Sequence, residues 1–485
     1  MRTITAETEI RLMGEVASRH SRRERGMGEP HEAVTRKHSN ALILGVLCLI
    51  TMLSQADRVI MSVAGEAVKV SLNLTDTQLG WLGGLAFTVL YSIMAIPIAR
   101  IAERVDRWRL LTACLLFWSV MTALCGAARN FTHLFMARAG VGIGEAGCSP
   151  TAQSLVADYF GSERRTTAIA ILMSFISVGG VVGAVAGGQI VEHLGWREAF
   201  WILGAAGIVL ALICFILFRD PFRGSSNDID NSAEAVPSLL SVCRIVLGTP
   251  QSRHIVIAAA LVLIASFSFA QFSAPYFIRR YGLGFGDAGL MYGVTMGVSG
   301  ALGSIMGGMI CDRLRWLGMA RFGLVPAAGM LIAAPLFIIG FQQPTVLMAA
   351  AFIAPAAVLK MLYVGPTFGL VHEMVAPRMR ATASALVFMI IGLVGGMGPL
   401  LTGFIIDFRA AGYFSSQLHG SFVASCPGGR APPGSGEALV QACSSSLSSA
   451  TSDALVATSI IMLWAAIHYL YAGWRLWESG KSKAA

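Results

Sequence analysis

Ala99-Arg100-Ile101-Ala102-Glu103-Arg104 and Gly308-Met309-Ile310-Cys311-Asp312-Arg313 decide the reading of this chain. Both are written small-x-x-x-acid-Arg, and they close the second and eighth apolar runs. Arg165-Thr166-Thr167-Ala168 opens the fifth run and Arg380-Ala381-Thr382-Ala383 the eleventh. Gly179-Gly180 and Gly395-Gly396 follow at nearly matched distances, then Gly183 and Gly398. Pro150-Thr151 and Pro366-Thr367 precede the two Arg signals. A pattern written twice, six apolar runs to each copy, points to two similar helical bundles with a site between them.

Composition agrees. Of 485 residues, 55% are hydrophobic and 13% charged, far too apolar for a soluble protein. The runs fall near 41–68, 77–101, 110–128, 132–159, 166–193, 197–218, 254–279, 286–311, 322–341, 345–371, 381–408 and 453–477. Most are long enough to cross a bilayer as helices. The expected fold is an all-α integral membrane protein of twelve transmembrane helices in two pseudo-symmetric six-helix bundles. Its expected parts are a cytoplasmic tail 1–39, a bundle 40–220, a cytoplasmic linker 221–252, a bundle 253–477 and a short tail 478–485. An extracytoplasmic loop 409–452, rich in Gly, Pro and Ser, interrupts the second bundle. The 53 glycines allow helices to pack closely.

Most of the 36 basic residues fall on one side if both termini are cytoplasmic, as the positive-inside tendency requires. The net charge of +9 then records topology and attraction to anionic lipid rather than nucleic-acid binding. No cleavable signal peptide is visible, because the first apolar run is long enough to be retained. The nine cysteines show no CxxC and no metal-ligand spacing. Cys426 and Cys443 share the outer loop, where a disulfide and two free thiols are both open readings.

Ionisable groups inside a span are costly and ask for a reason. Asp57 and Arg58 lie in the first run, Arg138 and Glu145 in the fourth, Lys360 in the tenth. At about 1.5 Å per residue, Asp57 and Arg138 both reach the outer half of a core about 30 Å thick, so they can pair. Glu145 lies two turns past Arg138 on the same face, near the midplane. If one conformation pairs Asp57 with Arg138 and another parts them, the carboxylate changes its proton affinity between states. Asp57, Arg138 and Glu145 are therefore proton-coupling candidates, against a purely structural pair. Glu145, Arg58 and Lys360 are candidate substrate contacts, Lys360 also having snorkelling or a pair with Glu145 open to it. Phe269 and Gln271, in the interleaved stretch Ser266-Phe267-Ser268-Phe269-Ala270-Gln271-Phe272-Ser273, fit the wall of an amphiphile site or a lipid-facing surface equally.

The duplicated charges sit at inner helix ends. Glu103, Arg104, Arg107, Asp158, Asp312, Arg313 and Glu373 form a candidate cytoplasmic gate, or simply set topology. Gly179, Gly183 and Gly187 recur every four residues, a stripe for close helix contact. No hydrolase elbow, zinc-protease motif or Walker loop is present. Neither a cofactor nor a metal is expected, and transport without an ATP site runs on an ion gradient or downhill.

Asp57-Arg58, Leu74-Thr75-Asp76-Thr77-Gln78-Leu79-Gly80, Pro97 to Arg109, and Arg138-Ala139-Gly140-Val141-Gly142-Ile143-Gly144-Glu145-Ala146 together resemble the major facilitator superfamily, and within it the spinster family. The resemblance covers the chain after residue 40. It implies a twelve-helix alternating-access transporter of lysolipid or sphingolipid-like amphiphiles, proton-linked, with roles for Asp57, Arg138 and Glu145. The eleventh run, Met389 to Pro399, lacks the His and Asp seen in eukaryotic members. Ala99 stands where Gly is usual, and Ala184 where antiporters carry Pro. The expected function is proton-coupled export of an amphipathic small molecule or lipid by a monomer of a bacterial inner membrane. The rivals are a polyspecific drug or organic-anion transporter and an uncoupled lipid carrier or scramblase.

Overall fold

A computed structural model describes residues 39–102, 104–218, 239–376 and 379–484. The tail 1–39, apart from Ser39, and the linker up to residue 238 lie outside the described residues. The remaining linker forms a short helix, Leu239–Val246.

Eleven helices among the described residues are long and apolar enough to cross a membrane. In chain order they are Asn40–Val63, Asp76–Ala102, Arg107–Gly126, Glu163–His193, Trp196–Leu217, Pro250–Tyr281, Phe285–Arg313, Arg315–Gly340, Val346–Met374, Thr382–Gln417 and Glu437–Ser479. The fourth expected crossing is present in two pieces, Phe131–Glu145 and Cys148–Tyr159. Pro150 falls in the first turn of the second piece, where its missing N–H has no intrahelical partner to lose. These pieces complete twelve crossings, called the first to twelfth below. Several begin on side-chain caps. Thr75 makes a capping box with Gln78. Thr249 caps a helix opened by Pro250. Large apolar side chains lie outward, among them Phe215 and Ile216 on the sixth helix. In water such a face would be a liability, and against lipid it is ordinary.

The glycine stripe of the fifth helix lies along the first. A methyl group on Gly183 would sit 2.6 Å from the Cα of Ala56, Gly179 abuts the Met52 backbone in the same way, and Gly187 meets the Ile60 side chain. Backbone contact at this spacing fixes the rotation of the first helix. The second half repeats the arrangement with other residues: Gly398 of the eleventh helix meets Ile264 of the seventh, 2.2 Å from its carbonyl oxygen by the same measure. The written duplication is thus a duplication of packing.

The halves meet through two equivalent pairs. Gly80 of the second helix abuts Pro399 of the eleventh, and Gly289 of the eighth abuts Ala184 of the fifth. Gly80 and Gly289 fall in the second turn of their helices, near the end of the molecule that carries a disulfide between Cys426 and Cys443.

The stretch 409–452, expected as a loop, differs. The eleventh helix continues to Gln417 and the twelfth already begins at Glu437. Only 418–436 connects them, with short turns at Phe422–Ser425 and Pro427–Gly429. Residues 437–452 read as loop because they are rich in Ser. In the helix Ser and Thr hydroxyls bond back to backbone carbonyls, as Thr451 does to Leu447. Ala442, Leu447 and Ala450 supply a buried face. At the other end the helix runs on to Ala484, through the expected tail 478–485.

Candidate functional site

Asp57 and Arg58 follow directly on the glycine contact of the first helix, so its fixed rotation aims them at the fourth. Arg138 and Glu145 stand there on one face, seven residues apart. The Asp57–Arg138 pair expected from depth is present, with Arg138 Nη1 3.4 Å from Asp57 Oδ1. The same nitrogen donates to the Asp57 carbonyl at 3.4 Å. The Thr122 hydroxyl donates to Asp57 Oδ2. Glu145 Oε2 accepts from Arg58 Nε at 2.7 Å and from the Ser54 hydroxyl at 2.9 Å.

Two ion pairs thus stand side by side, and Phe87 lies against the cation of each. The Arg58 guanidinium lies 4.7 Å from its ring centroid and that of Arg138 5.6 Å. Tyr91 also stacks near Arg58, at 4.8 Å. The Arg58 side chain keeps 34% exposure, while those of Asp57, Arg138 and Glu145 keep 3% or less. Arg138 Nε and Glu145 Oε1 are buried without a hydrogen-bond partner among the described residues. The pairs therefore have unused hydrogen-bonding capacity.

Lys360 is buried and sits over the Phe269 ring, 5.6 Å from its centroid. It makes no ion pair among the described residues, with Glu145 or otherwise. Phe269 is fully buried and packs on Phe337 and Phe341 inside the second half. Gln271 lies against Gly83 of the second helix. Its backbone carbonyl accepts from the Ser62 hydroxyl at 3.1 Å. It plugs the contact between halves rather than lining an open wall.

At the end opposite the disulfide, Arg107 meets Asp158 at 2.5 Å and Ser154 at 2.9 Å. Arg104, Asp312, Arg313 and Glu373 are exposed. Asp312 pairs with Arg315 at 3.8 Å. No ion pair joins the two duplicated clusters across the halves among the described residues. Glu103 lies outside the described residues.

The cluster that sequence reasoning missed is at the disulfide end. Arg279, closing the seventh helix, meets Glu66 at 2.7 Å and Asp76 at 2.6 Å. Lys69 meets Asp76 at 2.5 Å, and Thr451 of the twelfth helix accepts from Arg279 at 3.0 Å. All four charged side chains are buried. Beside them, Asp407 of the eleventh helix accepts the backbone N–H of Asp76 at 3.0 Å and of Thr77 at 2.8 Å. An acid from one half thereby caps a helix of the other.

Residues 47–415 match the Major Facilitator Superfamily. The chain belongs to that family. An "MFS-type efflux pump" of Mycolicibacterium smegmatis is 30% identical over 395 residues, 79% of this chain and 89% of the relative. "Protein spinster homolog 1" of Homo sapiens is 26% identical over 391 residues, 76% of this chain and 73% of the relative. A solved bacterial homolog of the human lysosomal transporter spinster, inward-facing and unoccupied, superposes with a TM-score of 0.83 at 29% identity, covering 91% of this chain and 99% of its own. This facilitator is therefore a multi-pass integral membrane transporter with spinster-like relatives. Its relatives are transporters rather than enzymes, and so is the chain.

Proposed function

We propose that this facilitator couples proton movement to the export of lysolipid- or sphingolipid-like amphiphiles by alternating access. In this reading it lies in a bacterial inner membrane as a monomer with both termini cytoplasmic and the disulfide end outside. The observation that carries the reading is the contrast between Arg58 and its neighbours. Arg58 is one-third exposed between two aromatic rings, while its partner Glu145 and the adjacent Asp57–Arg138 pair are buried. An anionic headgroup reaching Arg58 competes with Glu145 for it, and an apolar tail continues over Phe87 and Tyr91. A carboxylate deprived of its cation in a buried site favours taking up a proton. Substrate binding and protonation of Glu145 are thus linked through Arg58, and Asp57 is linked to Arg138 in the same way when the halves rock. Proton binding outside releases Arg138, the disulfide end closes, and the inner end around Arg104, Arg107, Asp158, Asp312, Arg313 and Glu373 opens. Proton release to the cytoplasm and substrate loading reset the cycle.

Closure at the disulfide end supports an inward-open arrangement for this structure. Reconstitution in liposomes with an internal pH dye tests the coupling. Lysolipids and sphingoid phosphates added under an imposed pH gradient are expected to evoke proton flux that Asp57→Asn abolishes. Lipid movement that is indifferent to pH and to Asp57→Asn would refute it. A second reading, drug efflux, is favoured by the mycobacterial relative. A substrate panel separates the two, since a lipid carrier ignores small hydrophilic cations and anions.

A further inference from the structure

The buried charges Glu66, Lys69, Asp76 and Arg279 stand outside the transport site described above. Arg279 comes from the second half and its two acids from the first, so this cluster has to break whenever the disulfide end opens. Lys69, on the short helix Gly65–Leu72, completes the charge balance: two acids face two bases. A balanced buried cluster holds only while water is kept from it, because solvent screens each pair and competes for its hydrogen bonds.

The water barrier over Lys69 is a turn of the other half. Gly428 and Gly429 have φ of +63° and +84°, a left-handed backbone that brings the turn flat onto the short helix. A methyl group on Gly428 would lie 3.0 Å from the Lys69 carbonyl oxygen, and one on Gly429 would lie 2.8 Å from Lys69 Nζ. Cys426, just before these glycines, is bonded to Cys443 on the twelfth helix. Eight residues on, Thr451 of that helix accepts from Arg279. One covalent bond therefore ties the cover to the helix that touches the cluster.

We propose that Glu66, Lys69, Asp76 and Arg279 form the lock between halves at the disulfide end, and that the Cys426–Cys443 turn is its redox-sensitive cover. Cutting the disulfide lets the turn lift from Lys69, admits water to the four charges and shifts the protein toward opening at this end. The inference rests on the alternating-access reading only for its consequence in transport. The lock and cover are read from opening itself, so their failure is separable from failure of proton coupling, which Asp57 tests.

The experiment is hydrogen exchange by mass spectrometry on the full chain in lipid nanodiscs. It compares the oxidised protein, the protein reduced with a phosphine, and Cys426→Ser. Reduction and Cys426→Ser are expected to speed exchange about five-fold or more in residues 64–80, with residues 107–126 unchanged as a control. Arg279→Gln in oxidised protein is expected to give the same local acceleration, with little added by reduction. Unchanged exchange in 64–80 after the disulfide is cut overturns the proposal. If Cys426→Ser loosens the whole protein, Gly428→Ala with the disulfide intact decides. Local loss of protection supports the cover, and full protection refutes it.

Discussion

Arg58 Nε lies 2.7 Å from Glu145 Oε2, and the two side chains differ in exposure by a third of the surface of the first. The pair is a buried anion held by a cation that stays one-third exposed. This asymmetry makes Arg58 the accessible member of the central cluster.

Arg58→Lys keeps the charge but loses the planar guanidinium stacked near Phe87 and Tyr91. Stacking of this kind contributes about 1 kcal/mol, so amphiphile affinity should fall roughly five- to tenfold. Glu145→Gln should do the opposite. It frees Arg58 from its buried partner, tightening binding of an anionic amphiphile and flattening the dependence of binding on pH. Titration of both variants at pH 6 and pH 8 checks the pair of signs.

Asp57 and Arg138 are sealed together, with side-chain exposures of 2% and 3%. Removing one partner of such a pair leaves an uncompensated charge and costs about 3–5 kcal/mol. Arg138→Met should therefore lower the melting temperature more than the double substitution Asp57→Asn with Arg138→Met. Thermal unfolding in detergent measures both. A double variant less stable than Arg138→Met alone would show that Asp57 stabilises the fold without Arg138 and would refute the uncompensated charge.

The fold was legible because both halves carry the same signals, and Gly179, Gly183 and Gly187 announce a helix contact by spacing alone. The Asp57–Arg138 pair was legible too, since the rise per residue sets depth without knowledge of neighbours. Arg58 as partner of Glu145 was not, because depth does not say which face of the first helix meets the fourth. The lock was missed for another reason. Glu66, Lys69, Asp76 and Arg279 lie at or near span ends, where a charge reads as ordinary loop, and their meeting depends on helices from opposite halves. The helical run 437–452 did carry a signal: Cys443, Leu447, Ala450 and Ala454 recur at helical spacing beneath the Ser-rich composition.

Packing of the first helix on the fifth makes a paired prediction. Gly183→Leu drives a side chain into the Ala56 backbone, which cannot swing aside as a flexible side chain does. Overpacking of this kind costs about 1–3 kcal/mol and should displace Asp57 as well. Gly180→Ala, on the neighbouring face, meets nothing closer than Gln55 Cγ at 3.9 Å and should be tolerated. Melting temperature and proton flux, measured on both, separate the helix contact from a general intolerance of larger residues in this span.

Asp407 links the eleventh helix to the first turn of the second by accepting two backbone N–H groups and the Thr77 hydroxyl. Asp407→Asn keeps the shape but removes the charge that complements the helix N-terminus. A charged acceptor at such a terminus contributes about 0.5–2 kcal/mol. The loss falls only on the state in which the halves touch at this end, so the variant should shift toward opening there. Distances between spin labels on the two halves at the disulfide end should lengthen.

Lys360 is the buried charge left without a counter-ion among the described residues, its amine resting over Phe269. An unpaired ammonium away from water is costly even beside an aromatic face, whereas Met fills the same volume without a charge. Lys360→Met should therefore raise the melting temperature. If Lys360 also receives an anionic headgroup, the variant should lose affinity for sphingoid phosphates while gaining stability, and neutral amphiphiles should bind as before. Stability and function moving in opposite directions would mark a residue kept for binding at the expense of the fold. A lower melting temperature would instead mark Lys360 as a structural residue whose partner forms in another conformation of the cycle.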